Sequence, residues 1–460
     1  GQEENRQAEG TGNMSNRLTP GLTPRMRPLS ARKSATLSVL DVGTNKIVCL
    51  IAQLNPMNET EVLRGRTHLA RVLGIGHQRS MGLKGGIVVD LDAAERAIRH
   101  AVDAAERMAK VELQSVIVNL TGGRLASQRF AAHVAVRGGA VTTGDVGRVL
   151  DSASAHATRP GRAVLHALPT GFSLDGQRGL LDPAGMIGEK LGVDMHVVNS
   201  DAGAVRNLML AVERCHLDIE AVVSTPYASG LSALVDDEAE MGAVLIDLGG
   251  GTTSMGVFAG GHLVHADAFA VGGHHVTMDI ARGLSTRVSA AERLKTLYGA
   301  AISSPSDERE IIAVPQVDDS EQDVPNHVPK SHLVRIIKPR VEEILELARG
   351  RLREAGFAAE AGRRVILTGG ASQLTGMPEL ARRILIGEKG TGQVRIGRPR
   401  GIQGMPDGGK GPAFSASVGL LVYPQMAHVE HFEPRSTGYG LRTGTDGYFT
   451  RVGRWIRDSF

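Results

Sequence analysis

Three stretches of this 460-residue chain place glycines at the end of an apolar run, where a backbone can meet an anion or a flat ring. The strongest is Asp247-Leu248-Gly249-Gly250-Gly251-Thr252-Thr253, which follows Ala243 to Ile246. Consecutive glycines leave backbone N–H groups free to point at a phosphate. The hydroxyls of Thr252 and Thr253 can donate to phosphate oxygens, and Asp247 at the strand end can hold a hydrated Mg²⁺. Asp41-Val42-Gly43-Thr44-Asn45-Lys46 repeats the arrangement once. Burying Asp41 there is costly unless it meets a metal or donors, and Lys46 can approach a phosphate as a point charge. The third stretch, Leu367-Thr368-Gly369-Gly370-Ala371-Ser372, keeps a strand end bare enough for a base to lie on the backbone. Each alone also fits a hairpin or strand-to-helix turn with no ligand. None matches the G-x-x-x-x-G-K-[ST] loop or the G-x-G-x-x-G fingerprint, which disfavours a P-loop NTPase and a Rossmann dehydrogenase.

The elements that must position these turns follow from periodicity. Thr36 to Leu54 gives two apolar runs around the first turn, hence strand, turn and strand, with Val72 to Gly76 a third strand. Leu91 to Lys110 carries apolar residues at the spacing of one helix face. From Val111 to about residue 195 the pattern shifts to short strands and turns and reads as a compact α+β insertion. Strand, Asp-x-Gly turn and strand then return at residues 243–266. The topology of the first half thus repeats in the second. A long helix is expected over Leu333 to Ala355, and a buried strand over Arg364 to Leu367. Residues 387–412 read as a Gly- and Arg-rich loop, and Phe414 to Tyr423 as a small-residue helix.

Composition narrows the classes. Lys and Arg total 52 against 49 Asp and Glu, leaving a formal charge of +3. Aromatics are 3% of the chain. A nucleic-acid binder usually shows a more basic balance with stacking aromatics, so no nucleic-acid partner is expected. Cys49 and Cys215 have no metal-ligand spacing and read as buried free thiols in a reducing compartment. No apolar run reaches the ~18 residues of a spanning helix, and no signal-peptide core opens the chain, so a cytoplasmic location is expected.

Taken together, three Gly-rich strand ends, two with a leading Asp, resemble the actin/Hsp70/sugar-kinase superfamily. In that resemblance Asp41 to Lys46 corresponds to the first phosphate motif, Asp247 to Thr253 to the second, and Leu367 to Ser372 to the adenosine motif. Ser289-Ala-Ala-Glu292-Arg-Leu-Lys295-Thr-Leu-Tyr298-Gly299 narrows the match: it is similar to the helix over the nucleotide in the FtsA family of bacterial cell-division proteins. Glu292 and Lys295 lie on one helix face and can reach ribose and base edge. Asn199 to Leu217 and Phe414 to Leu420 resemble that family's two connecting helices. The likeness runs from about residue 36 to 425 and resumes at the C-terminus.

The resemblance implies an α/β, actin-like two-lobed ATPase fold with an inserted α+β subdomain in the first lobe. The expected boundaries are a disordered tail over 1–34 and a first lobe from 35–112, 196–228 and 411–432. The insertion is expected at 113–195 and the second lobe at 229–410, with an outer subdomain near 275–345. The resemblance further implies ATP with Mg²⁺ in the interlobe cleft and self-association into filaments. It implies tethering of the FtsZ ring through FtsZ's C-terminal peptide, and contacts with other division proteins through residues 113–195. The implied place is the cytoplasmic face of the inner membrane at the division septum. Asn199-Ser200-Asp201-Ala202-Gly203 lacks the Glu-Pro of the chaperone type. No general base can be named, and the expectation is a weak or regulatory ATPase at most. Asp201 reads as a helix N-cap. A small-molecule kinase and a pilus-assembly adaptor of similar fold are the rival readings.

After a linker over 433–446, residues 447–460 form one more patterned segment. At 100° per residue, Tyr448, Phe449, Val452, Trp455, Ile456 and Phe460 fall in one arc of about 140°, and Arg451, Arg454 and Arg457 fall opposite. The only Trp of the chain is here. A helix docked on the body would need neither the linker nor the basic face, so the segment reads as an amphipathic anchor on an anionic membrane surface. Three further features read as ordinary. His274-His275 is expected at a helix start, Asp236-Asp237-Glu238 in a solvated turn, and Arg398-Pro399-Arg400 in an exposed loop.

Overall fold

The computed structural model describes residues 23–26, 29–57, 66–316 and 325–431. The expected membrane segment 447–460 and its linker lie outside the described residues. Two sheets of the same topology stand side by side. In the first, an antiparallel hairpin joins Ala35–Val42 to Lys46–Pro56, with Asp41 opposite Val48 and Val42 opposite Ile47. His68–Arg79 extends it on one side; Ser115–Leu120 and Asp218–Ser224 extend it, parallel, on the other. In the second, Ala243–Leu248 and Thr253–Ala259 form the hairpin, His262–Phe269 extends it, and Arg364–Thr368 and Gln393–Ile396 run parallel on the far side. Both hairpins are buried on both faces, so their residues read as continuous apolar runs rather than alternation. Each Asp is the last but one residue of its central strand. The carboxyl ends of strands in such sheets open onto crevices where ligands bind.

A third sheet, Ala126–Ala135, Lys190–Asp201, Arg162–Leu174 and Gln177–Leu180, carries the helix Thr143–Ser154 and has its own apolar core. It is the inserted subdomain. The core beneath the first sheet is continuous with the helices Thr225–Ala233 and Ser415–Met426, which pack together between the lobes. The second lobe has a separate core around the helix Lys330–Glu354.

The structure moves several expected boundaries. Ser115–Leu120 belongs to the first lobe, not to an insertion over 113–195, because it pairs parallel with the central strand at Val39–Ile117 and Leu40–Val118. Ile402–Gln403, expected in the second lobe, pairs with His68–Arg79 of the first. The expected loop at 387–412 contains the edge strand Gln393–Ile396. Part of the expected tail is packed: Thr23 and Met26 are buried, and the Thr23 hydroxyl donates to Val164 O at 2.8 Å. Glu238 is not in a solvated turn but buried in the short helix Asp236–Met241, where Arg395 Nε donates to it at 2.7 Å. Cys49 is buried and Cys215 only partly so. No helix among the described residues is long and apolar enough to cross a membrane.

Candidate functional site

The three Gly-rich turns, more than 300 positions apart at their extremes, line one cleft of about 840 Å³ between the lobes. Asp41, Gly43, Thr44, Asn45 and Lys46 form one wall; Asp247, Gly249, Gly250 and Thr252 face them. Gly369, Gly370 and Ala371 close one end beside Glu292 and Lys295. Gly251 and Thr253 do not line the cleft. The Thr253 hydroxyl is committed to Val271 O at 2.8 Å inside the second lobe, so it has no donor left for a phosphate. Gly251 backs onto Thr44, and Gly250 onto Asn45: a Cβ at either would lie 2.5 Å from the opposing side chain. These glycines are where the two lobes' turns meet.

Asp41 and Asp247 are held differently. Asp41 accepts from Asn119 Nδ2 and from Ser417 Oγ, both at 2.7 Å. Asn119 also accepts from the Val42 N–H at 2.7 Å and donates to Thr225 Oγ1 at 3.1 Å, so its amide orientation is determined. Asp247 accepts from Ser229 Oγ at 2.5 Å. Burial pushes the Asp247 carboxyl up to about 6; the Ser229 bond opposes this, Asp41 adds to it, and Lys46 opposes it. Burial also lowers the Lys46 ammonium against the pull of Asp41 and Asp247. Lys46 Nζ donates to Ala413 O at 2.6 Å and sits 3.6 Å from the centre of the Phe414 ring, which packs against the first-lobe core.

At the other end, Lys295 Nζ donates to Gly273 O at 3.1 Å, Thr277 Oγ1 at 2.8 Å and Glu292 Oε2 at 2.7 Å. Burial would raise the Glu292 carboxyl, but Lys295 and the Thr277 hydroxyl outweigh it and hold it down. The helix Gly273–Gly283 starts against the second turn: the N–H groups of Gly273 and His274 donate to Gly249 O and Gly250 O at 2.9 and 2.7 Å. His274 and His275 thus belong to a helix start. Asp201 caps the helix Ala202–Glu213 through Gly203 N at 2.9 Å and does not line the cleft.

The donor set suits one kind of ion. Among the described residues no three His, Cys, Asp or Glu side chains cluster as metal ligands. Two buried carboxylates that line the cleft fit Mg²⁺, which keeps several waters and completes its shell with phosphate oxygens. They do not fit an all-protein Ca²⁺ or Zn²⁺ cage. The turns offer backbone N–H groups for phosphates, and the Glu292–Lys295 pair offers an acceptor and a donor for a sugar or base edge. The sequence reading missed Asn119, Ser229, Ser417 and Phe414, which hold the two carboxylates and Lys46. A polar Asn in the apolar strand Ser115–Leu120 was a usable signal; Ser229 and Ser417 lie in small-residue helices and carried none.

Comparison with known proteins agrees with this architecture. Residues 244–419 match the family model described as "Cell division protein FtsA", and residues 122–199 match "SHS2 domain inserted in FTSA", which coincides with the third sheet. The chain is 52% identical over 439 residues to a cell division protein FtsA of Rhizobium meliloti, covering 95% of this chain and 98% of that one. It is 30% identical over 431 residues to that of Escherichia coli, covering 92% and 97%. Among solved structures, a PilM–PilN type IV pilus biogenesis complex aligns with a TM-score of 0.58 at 15% identity, over 86% of this chain and 99% of that one, a likeness of fold alone. With the two-lobed actin-like fold, the inserted subdomain and relatives along nearly its whole length, this chain belongs to the FtsA family of cell division proteins.

Proposed function

We propose that the chain binds ATP with Mg²⁺ in the interlobe cleft, self-associates into filaments, and tethers the FtsZ ring to the inner membrane. The observation that carries this reading is the convergence of three turns from distant parts of the sequence on one cleft with two carboxylates. In it, Thr44, Asn45, Gly249, Gly250 and Thr252 hold phosphates through backbone and hydroxyl donors, and Gly43, whose N–H donates to Lys46 O at 3.0 Å, keeps the turn free of a side chain. Asp41 and Asp247 hold Mg²⁺, which when bound neutralises phosphate charge. Glu292 and Lys295 contact ribose and base edge, and Gly369 to Ala371 carry the base. Lys46 reaches the phosphates only by leaving Ala413 O and the Phe414 ring. Among the described residues the carboxylates lining the cleft are Asp41, Asp247 and Glu292, each assigned here to metal or to ribose and base, and the reading is of a weak or regulatory ATPase.

Outside the cleft, the FtsZ C-terminal peptide docks on the outer part of the second lobe, near residues 275–345. Other division proteins meet the inserted subdomain. Residues 447–460, outside the described residues, lie on the cytoplasmic face of the inner membrane at the septum. Their six apolar side chains supply burial, and Arg451, Arg454 and Arg457 add ~1 kcal/mol each against anionic lipid. Filament formation strengthens this weak binding by multivalency. Co-sedimentation of the full chain with FtsZ and anionic liposomes tests the reading. The chain should carry FtsZ to the liposomes, and Trp455→Glu should abolish that while leaving ATP binding intact. Equal pelleting of wild type and Trp455→Glu would overturn the anchor.

A further inference from the structure

The described chain ends at a buried clamp that none of the cleft chemistry uses. Glu430 and His166 are fully buried, with 2.9 Å between Glu430 Oε1 and His166 Nδ1. His166 comes from the inserted subdomain; Glu430 follows the connecting helix Ser415–Met426 and immediately precedes the last described residue. His431 is held by the same subdomain: its N–H donates to Ala167 O at 2.9 Å, and its Nε2 lies 2.9 Å from Asp151 Oδ1. The root of the C-terminal segment is therefore fastened to the inserted subdomain.

The other face of His166 reaches the first lobe. The Ser224 N–H donates to His166 Nε2 at 2.8 Å, so Nε2 is an acceptor and the ring's proton sits on Nδ1, aimed at Glu430. Asp218–Ser224 is the edge strand of the first sheet, and an outward N–H on a buried edge needs a partner. Here that partner is His166. The next residue, Thr225, receives Asn119 Nδ2 on its hydroxyl, and the same amide holds Asp41. Every one of these groups is buried. Tyr227 and Tyr423 pack edge-on against the fully buried His166 ring, at 4.9 and 6.0 Å between centres.

We propose that His166 and Glu430 are positioning residues for the Asp41 carboxylate, and that they couple the root of the C-terminal segment to metal-dependent nucleotide binding. The route is Glu430, His166, the Ser224 amide, Thr225, Asn119 and Asp41. Movement of the segment's root tilts His166, shifts the Ser224–Thr225 backbone, and changes how Asn119 presents Asp41. Coupling is reciprocal, so ligand at Asp41 must also steady the Ser224 amide. This inference rests on the reading that the cleft binds ATP with Mg²⁺.

The test uses the full chain. ATP affinity is measured in Mg²⁺ and in EDTA for wild type, Glu430→Ala and Glu430→Gln, and hydrogen exchange of the Ser224 amide is followed with and without ATP and Mg²⁺. Glu430→Ala should weaken ATP binding in Mg²⁺ by roughly 2- to 30-fold and leave affinity in EDTA nearly unchanged. Glu430→Gln, which keeps an acceptor for His166 Nδ1–H, should restore most of the loss. ATP with Mg²⁺ should slow Ser224 exchange in wild type. Unchanged affinity in Glu430→Ala, or an equal loss in both buffers, would overturn the coupling and leave the nucleotide reading intact. Ser224 exchange indifferent to ATP and Mg²⁺ in wild type would overturn it even if Glu430→Ala did not fold. A wild-type chain that binds no ATP in either buffer would overturn both.

Discussion

Gly251 of the second lobe lies against Thr44 of the first, so closely that a Cβ on Gly251 would sit 2.5 Å from Thr44 Oγ1 and 2.7 Å from its Cβ. The two Asp-Gly turns therefore meet directly as well as flanking the cleft, and a residue expected to face phosphate instead sets how near the lobes come. Gly251→Ala should wedge them apart. Overpacking at such a contact costs about 1–3 kcal/mol. Thermal melting should show the loss, and Thr44→Gly in the same chain should recover most of it. Non-additive recovery in this double-mutant cycle is the signature of direct contact. Two additive losses would show that the turns do not touch in solution.

Asp247 gives a pH dependence with a definite sign. Its carboxyl is raised from an ordinary 3.8 to about 6, first by burial. An acid raised on folding destabilises the fold once it ionises: the penalty is absent below pH 3.8, grows between about 4 and 6, and is complete above 6. Its size is on the order of 3 kcal/mol. In the absence of nucleotide, Asp247→Asn should melt above wild type at pH 7.5, and the difference should vanish near pH 4. A constant difference across that range would contradict burial as the cause.

His196 gives the opposite case at the junction of the inserted subdomain and the second lobe. Its Nδ1 lies 2.7 Å from Leu263 O and its Nε2 2.8 Å from Ser127 Oγ, which in turn bonds Ala266. Burial lowers the imidazole from 6.5 to about 3. Between these values the unfolded chain holds the extra proton, so stability is full above pH 6.5 and falls as pH drops toward 3. About 2 kcal/mol should be lost between pH 6.5 and pH 5. His196→Asn retains a donor for Leu263 O without a titrating ring. Urea midpoints should show wild type losing more than the variant over that interval; parallel curves would remove His196 from the account.

The parts legible in the sequence were those with a local signature. Asp41 and Asp247 each stand out at the end of an apolar strand, and their glycine turns repeat. The helix carrying Glu292 and Lys295 was equally plain, and the structure places both side chains in the cleft. What stayed hidden depends on contacts distant in sequence. Thr253 looked like a second phosphate donor because nothing local shows that Val271 O takes its hydroxyl. Gln393–Ile396 and Ile402–Gln403 are too short for any period to declare them strands. Ser115–Leu120 was given to the wrong unit because parallel pairing joins strands far apart in the chain, and its turn chemistry is silent about which sheet it enters. His166 and Glu430 are 264 positions apart, and neither sits in a motif.

The most direct test of the account is calorimetric titration of ATP into the full chain, wild type and Asp247→Ala, each in Mg²⁺ and in EDTA. A metal-mediated contact is worth ~1.5–3 kcal/mol, or roughly 10- to 150-fold in affinity. Wild type should bind ATP more tightly in Mg²⁺ than in EDTA. Asp247→Ala should lose that advantage while keeping the EDTA affinity, since the glycine turns remain. Equal ATP affinity for wild type and Asp247→Ala in both buffers would contradict the placement of Mg²⁺ at Asp247, and no ATP binding by wild type would contradict the cleft as a nucleotide site.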